Sequence, residues 1–277
     1  AYTFQLATDA FGDIPLSQAL RGNEVTSPQY EPQRTVYDSI FNYIDKGIAL
    51  LGTANAVSPG SQDLIFQGDA AQWIRFARTL KLRAYLRLSE VDPALAQQGI
   101  TALYNSGATF LEEDAAIQYS TTGGNENPLF NEMVGLGRTQ NIVASGTAVN
   151  NFLRNNDPRV FQVYDIIPGQ DTIAYIRQGS YSSNANKAVS PPSAKVGANA
   201  NDNASATTPV KLISLPESYF LQAEAIARGW APGDAFSLYR QGVQASFASL
   251  GLANAATAYL QSAPDAQWPA RAYGGRP

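Results

Sequence analysis

The sequence contains no cysteine and no histidine, and a single methionine, among its 277 residues. Without the first two, a Ser-His-Asp triad, a cysteine nucleophile, a zinc cluster of the usual donors and a histidine general base are all excluded. No disulfide framework can form, so the redox compartment leaves no mark on the chain. Charge is scarce as well, since Asp, Glu, Lys and Arg together supply 15% of residues. The formal net charge of -4 and a pI near 4.9 argue against nucleic acid and anionic membrane as main partners. Long apolar runs are missing, and no stretch approaches the ~20 residues of a membrane span. The chain opens on Ala1 with neither Met nor a signal peptide. The expectation is a processed form or a fragment.

What is present suits a folded core, with 44% hydrophobic residues in a chain long enough for one large domain or two small ones. The organising stretch is 68–88. Asp69 is a good N-cap, and Gln72 three residues later can return the bond as a capping box does. Trp73, Phe76, Ala77, Leu80, Ala84 and Leu88 recur at helical spacing and make one broad apolar face. Leu82 and Leu86 fall on the opposite side, which predicts a helix packed on both flanks. Arg75, Arg78, Lys81, Arg83 and Arg87 share this stretch. At helical pitch they scatter around the cylinder, so stems covering apolar surface and heads meeting acids elsewhere explain them better than an anion-binding stripe.

Around this helix the chain reads as helical hairpins. Residues 1–16 suggest a short helix closing on a Gly- and Pro-punctuated turn, and 17–34 a surface loop. Thr35 is expected to cap a helix with Tyr37, Ile40, Phe41, Ile44, Ile48 and Leu51 on one face and Gly52 at its end. Asp92-Pro93 pairs an N-cap with proline at the first helical position, predicting a helix to about Asn105 stopped by Gly107. Its short connection from Leu88 predicts an antiparallel hairpin. A second hairpin follows at 216–228 and 234–250, broken by Gly229-Trp230-Ala231-Pro232-Gly233. Phe236, Tyr239, Val243 and Phe247 are expected to face inward there, and Ala223, Ala225 and Ala227 to admit a partner helix closely. The form is that of tetratricopeptide stacking, although that repeat's consensus spacing is not met. Between the hairpins, 108–213 is rich in Gly, Asn, Ser and Thr, with helical periodicity only at about 146–155. Long ordered loops on a rigid scaffold are where function usually sits.

Four motifs carry a family resemblance. Phe11-Gly12-Asp13-Ile14-Pro15-Leu16 resembles the "FGDxPL" turn of the SusD/RagB family of outer-membrane lipoproteins from Bacteroidetes. Residues 73–83, Trp-Ile-Arg-Phe-Ala-Arg-Thr-Leu-Lys-Leu-Arg, resemble its "W-x-K-F-A-N-T-L-K-L-R" helix. Asn156-Asp157-Pro158-Arg159 resembles its "DPR" turn. Residues 223–230 followed by 238–247 resemble its "AEAxxRGW … LYxxGIxASF" hairpin. Matching order across 1 to about 250 makes the set specific where each alone is weak. The resemblance implies a mainly α fold, a tetratricopeptide-like hairpin scaffold with long irregular loops, forming one SusD-like domain over 1–277. The scaffold would comprise 1–107 and 214–262, and 108–213 the ligand-binding loops.

The same resemblance implies a cell-surface protein that captures oligosaccharide or polysaccharide, or peptide in some branches. It would hand the catch to a SusC-like TonB-dependent transporter at the outer membrane. It implies binding without catalysis, and a lipid anchor on a cysteine outside this sequence; no cofactor and no metal site is expected from the residues. Tyr119, Asn125, Asn127, Phe130, Arg138, Gln140, Asn141, Tyr175, Arg177, Tyr181 and Asn184 supply what sugar recognition needs, namely flat apolar faces flanked by hydrogen-bonding groups. Of these, Tyr119, Asn127, Phe130, Arg138, Asn141, Tyr175, Arg177 and Tyr181 are the expected ligand-binding residues, with the four aromatics forming an arc. Any one aromatic taken singly favours local packing. Trp73 and Trp230 are expected in the core, and Trp268 is unplaced.

Two other readings compete on the residues alone. Glu112, Glu113, Asp114, Glu126 and Glu132 could supply the paired carboxylates of a glycoside hydrolase, although the first three suit a solvated face or partners for the arginines of 68–88. Asn199, Asn201, Asp202 and Asn203 superficially suggest a calcium loop but lack its central Gly and closing Glu. Binding module and hydrolase stand level without the resemblance, and binding leads with it. Stacked hairpins could also serve as a peptide scaffold.

Overall fold

The computed structural model describes residues 1–53, 57–137, 141–180 and 187–268. Helix α1 (Tyr2–Phe11), α2 (Gln33–Leu51), α3 (Ala70–Arg87) and α4 (Pro93–Asn105) lead the chain. Strand β1 (Ala115–Ile117), α5 (Pro128–Gly135), α6 (Gly146–Arg154), α7 (Val160–Val163) and β2 (Val210–Ile213) follow. Helices α8 (Leu215–Ala227), α9 (Ala235–Ser249) and α10 (Ala256–Ser262) complete it. Among the described residues no helix is long and apolar enough to cross a membrane. The chain resolves into two compact units, one of Ala1–Glu113 with Leu221–Ala235 and one of Asp114–Phe220 with the chain from Phe236 onward. The boundary falls inside α8, so the C-terminal hairpin is divided between units.

In the first unit α3 is packed on two sides. Leu82 and Leu86 join Ile100, Leu103, Phe110 and Ala225 in one cluster, while Ala84 and Leu88 join Tyr37 and Ala96 in another. Trp230 packs against both clusters. Asp69 caps the helix, accepting from the N–H groups of Ala71 and Gln72 at 2.8 and 3.1 Å. Gln72 does not return the bond; its amide donates to Glu113 at 2.6 Å. The basic residues find separate partners: Arg75 meets Glu112, Lys81 meets Asp45 at 2.5 Å, and Arg78 donates to Thr109 at 3.3 Å. Arg83 is the exception. It is buried, donates to Gln5 Oε1 at 3.1 and 2.9 Å, and lies 5.2 Å above the Tyr2 ring.

The turn after α1 explains a correction. Gly12 takes φ +76, a region that glycine enters without a Cβ penalty. This swings Asp13 Oδ1 onto the N–H of Gln33 at 2.9 Å, which caps α2 from across the chain. Helix α2 therefore starts two residues before Thr35, which lies within its first turn and does not cap it.

Asp63 knots the approach to α3. Its Oδ1 accepts from the Ile65 and Phe66 N–H groups at 3.0 and 3.4 Å, and its Oδ2 from Gly68 N–H at 2.9 Å and Trp73 Nε1–H at 2.6 Å. Burial alone would raise this carboxyl, but the backbone donors and the indole together hold it below its ordinary 3.8. A depressed folded value contributes stability above the unfolded pKa and loses it as pH falls through the folded one. Between pH 5 and pH 2.5, wild type should therefore lose more urea resistance than Asp63→Asn. Parallel losses in the two proteins would refute this role.

In the second unit β1 and β2 pair antiparallel, with Ala115 opposite Ile213 and Ile117 opposite Val210. Ala144, Val149, Val160, Ile173 and Val189 form one buried cluster, and Val243, Phe247 and Ala256 another. Trp268 sits on Phe236 and Tyr239, with ring centroids 5.9 and 5.1 Å away. Phe236 is 45% exposed, less inward than its spacing predicts. The Asp157-Pro158-Arg159 turn ties these parts together. Arg159 Nε donates to both Asp157 oxygens at 2.9 and 3.0 Å, Nη2 to Oδ2 at 2.5 Å, and Nη1 to Ser246 Oγ at 2.7 Å. Its guanidinium lies 4.4 Å over the Phe247 ring and 5.2 Å over Tyr259.

Candidate functional site

A cleft of about 290 Å³ in the second unit is lined in part by Asn141, Ser145, Ile176, Arg177 and Gln178. Its construction is non-local. Ser145 and Ile176 form a parallel bridge, with Gly146 N–H donating to Ile176 O at 2.7 Å and Ile176 N–H to Ala144 O at 3.2 Å. Ser190 extends the zipper, accepting from Ala144 N–H at 2.9 Å. Ile176 packs on the apolar cluster beneath. Tyr175 and Arg177 flank it and are exposed. The Tyr175 ring rests against the first residue of α6, where a Cβ on Gly146 would stand 3.1 Å from Cδ2. Thr147 Oγ1 donates to Gln178 Oε1 at 3.1 Å, holding the rim to the helix. The result is an open mouth with a cationic fork, amides, hydroxyls and a nearby aromatic face.

The structure thus brings Asn141 and Arg177 to one cleft and leaves Tyr175 exposed beside it. Tyr119, half-buried after β1, does not line this cleft. Arg138 and Tyr181, with Gln140 and Asn184, lie outside the described residues. Two expected ligand residues are corrected. Asn127 is buried and spent as the cap of α5, its Oδ1 accepting from Leu129 and Phe130 N–H at 2.9 and 3.2 Å while Nδ2 donates to Thr208 O at 2.8 Å. Phe130 is 8% exposed and belongs to the core. Neither offers a surface to a ligand. The signal for Asn127 was present, because Asn127-Pro128 repeats the cap-then-proline pattern of Asp92-Pro93.

The carboxylates are largely committed. Glu112 pairs with Arg75 and Glu113 accepts from Gln72. Asp114 accepts from Leu215 N–H at 2.7 Å and pairs with Lys211 at 2.7 Å. Glu126 is held below the ordinary carboxylate range by its own backbone N–H and then by the Asn131 amide. A general acid needs the opposite shift. Asp165 carries no local signal; burial raises it above its ordinary value despite the Asn199 amide donating to Oδ2 at 2.5 Å. It lines a cleft of about 270 Å³ with Pro168, Pro191, Asn199 and Asn201. Asp202, the nearby acid, is occupied in capping Ala204 N–H at 2.9 Å. Asn199 likewise turns inward, its Oδ1 accepting from Asn201 N–H at 2.9 Å. Among the described residues no group of three or more acids gathers as a metal site.

A family model described as "SusD-like_2: Starch-binding associating with outer membrane" matches residues 1–274. Among solved structures, a SusD homologue from Bacteroides uniformis aligns with a TM-score of 0.76 at 26% identity, covering 99% of this chain and 57% of that one. A chitin-binding SusD homologue from Flavobacterium johnsoniae aligns at 0.75 with 25% identity, covering 93% and 52%. A SusD-like protein from Bacteroides thetaiotaomicron gives 0.72 and 27%, with the same coverage of 93% and 52%. The chain spans little more than half the length of these relatives. None of the curated proteins matches significantly.

Proposed function

This chain belongs to the SusD-like family, and from that premise we propose that it captures glycans at the cell surface and delivers them to a SusC-like TonB-dependent transporter in the outer membrane. The observation that carries the binding step is the meeting of Asn141 and Arg177 at one open cleft with Tyr175 exposed beside it. Planar donors and acceptors can pair with sugar hydroxyls, while the phenol ring offers a face to the C–H side of a pyranose. Capture without cleavage is supported by the engagement of Glu112 in an ion pair, Glu113 with the Gln72 side-chain amide and Asp114 with a backbone N–H. The family's outer-membrane association supports the location.

Calorimetric titration with chitin and malto-oligosaccharides, together with short peptides, tests this reading. A saturable glycan isotherm is expected, with no sugar released over time. Tyr175→Ala and Arg177→Ala should each weaken it about tenfold, near 1.4 kcal/mol. Unchanged affinity in both folded variants would remove the cleft from the binding site. Product formation would restore the hydrolase reading, and binding of peptides alone would replace glycan by peptide.

A further inference from the structure

The first unit holds a larger cleft, of about 620 Å³, that the glycan reading does not use. Its walls come from α1, α2, the end of α3 and the connection to α4, with Asp9, Arg34, Tyr37, Arg87 and Asp92 on them and Leu88 and Val91 as apolar surface. The volume lies within the range of small-molecule sites. The charges balance, two guanidiniums against two carboxylates, but their hydrogen-bonding capacity does not.

The acceptors are mostly spent. Asp92 Oδ1 takes Leu95 N–H at 3.1 Å, and Oδ2 takes Arg34 Nη1–H at 2.7 Å. Asp9 Oδ1 takes the Tyr37 hydroxyl at 2.5 Å. The donors are not. Arg87, whose side chain is 64% exposed, approaches Asp9 Oδ2 only to 3.9 Å through Nε. Among the described residues its fork donates no hydrogen bond. Arg34 is 3.6 Å from Asp38 through Nε and bonds Asp92 through one terminal nitrogen, which leaves the other available. A planar fork with free donors, beside apolar surface and acceptors that are mostly occupied, is matched by a carboxylate.

We propose that this cleft is a second binding site, for a ligand bearing a free carboxylate gripped by Arg87 with Arg34 in support. A uronic sugar and a peptide C-terminus share that chemistry. The test titrates wild type, Arg87→Gln and Arg177→Ala at low salt with four probes: digalacturonic acid, its methyl ester, a tripeptide acid and the corresponding amide. At least one free acid should bind wild type saturably, weaken tenfold or more in Arg87→Gln, and weaken less in Arg177→Ala. Its ester or amide should not bind the cleft. Binding of the sugar acid alone names a glycan source, and binding of the peptide acid alone names a peptide source. No acid binding, equal binding of the neutral forms, or a loss confined to Arg177→Ala would overturn the proposal. Arg177 belongs to the glycan cleft, so failure of that reading leaves this result intact.

Discussion

Arg159→Ala should destabilise the second unit by about 3–5 kcal/mol, the cost typical of removing one partner from a buried ion pair. Asp157 is 4% exposed, so the truncation leaves a carboxylate in the interior with, among the described residues, only the backbone N–H of residue 159 still donating to it, at 3.0 Å. The same change removes a guanidinium 4.4 Å over the Phe247 ring and the bond that reaches Ser246 on α9. Domains of this kind have total stabilities of about 5–15 kcal/mol, so the variant should melt far earlier or fail to accumulate. Lysine cannot restore it, because a point ammonium neither forks across both oxygens nor stacks flat on the aromatic ring. Asp157→Asn should cost less. An amide keeps an acceptor for that backbone N–H, and the Arg159 side chain, 18% exposed, can still reach water. Urea denaturation decides the matter. A loss below about 1 kcal/mol for Arg159→Ala would mean the pair is no stronger than a surface salt bridge.

This turn also shows what a sequence can and cannot disclose. Asn156-Asp157-Pro158-Arg159 is visible as a motif, yet nothing local says that its arginine spans to α9. The helices of the first unit were legible because their signals are local, as with Asp69 before an apolar stripe and Asp92 before proline. A cap that comes from far away leaves no such signal: Thr35 is the local candidate for α2, while the Asp13 carboxylate reaches Gln33 only through the folded turn. Helix α5 is hard to see in the sequence for another reason. Its eight residues are too few for apolar periodicity to stand out, although its cap and proline were there to see. Strands β1 and β2, of three and four residues, are shorter still and pair across most of the loop region.

The candidate site was legible as chemistry and not as geometry. Asn141 and Arg177 could be picked as hydrogen-bonding groups in a loop-rich region, but their meeting depends on the bridge between Ser145 and Ile176. Asn127 looked equally suitable, and its side chain is consumed by backbone groups of α5 and of Thr208. Residue type alone does not distinguish a ligand contact from a cap. The free donors of Arg87 follow the same logic in reverse. Its helix suggested a paired head, and the structure leaves the fork mostly unspent.

The close packing of the first hairpin yields the remaining prediction, one in which a substitution should change sign with its surroundings. Gly99 lies inside α4, where alanine is normally favoured over glycine by about 1 kcal/mol. Here a Cβ would stand 2.2 Å from Cε1 and Cζ of Tyr85. That ring is stacked on Phe41 at 4.2 Å with an interplanar angle of 17°, so moving away from α4 means giving up or straining the stack. Overpacking of this kind costs about 1–3 kcal/mol, enough to offset the helix gain and leave Gly99→Ala destabilised. In a Tyr85→Ala background the obstacle is gone. The same Gly99→Ala change should then stabilise by about 0.8–1 kcal/mol through helix propensity alone, on top of a large loss from the missing ring. A double-mutant cycle by urea denaturation should therefore return a coupling equal to the overpacking cost, about 1–3 kcal/mol, between the two positions. If Gly99→Ala stabilises both backgrounds equally, Tyr85 yields freely and the hairpin is not held at the close approach that glycine permits.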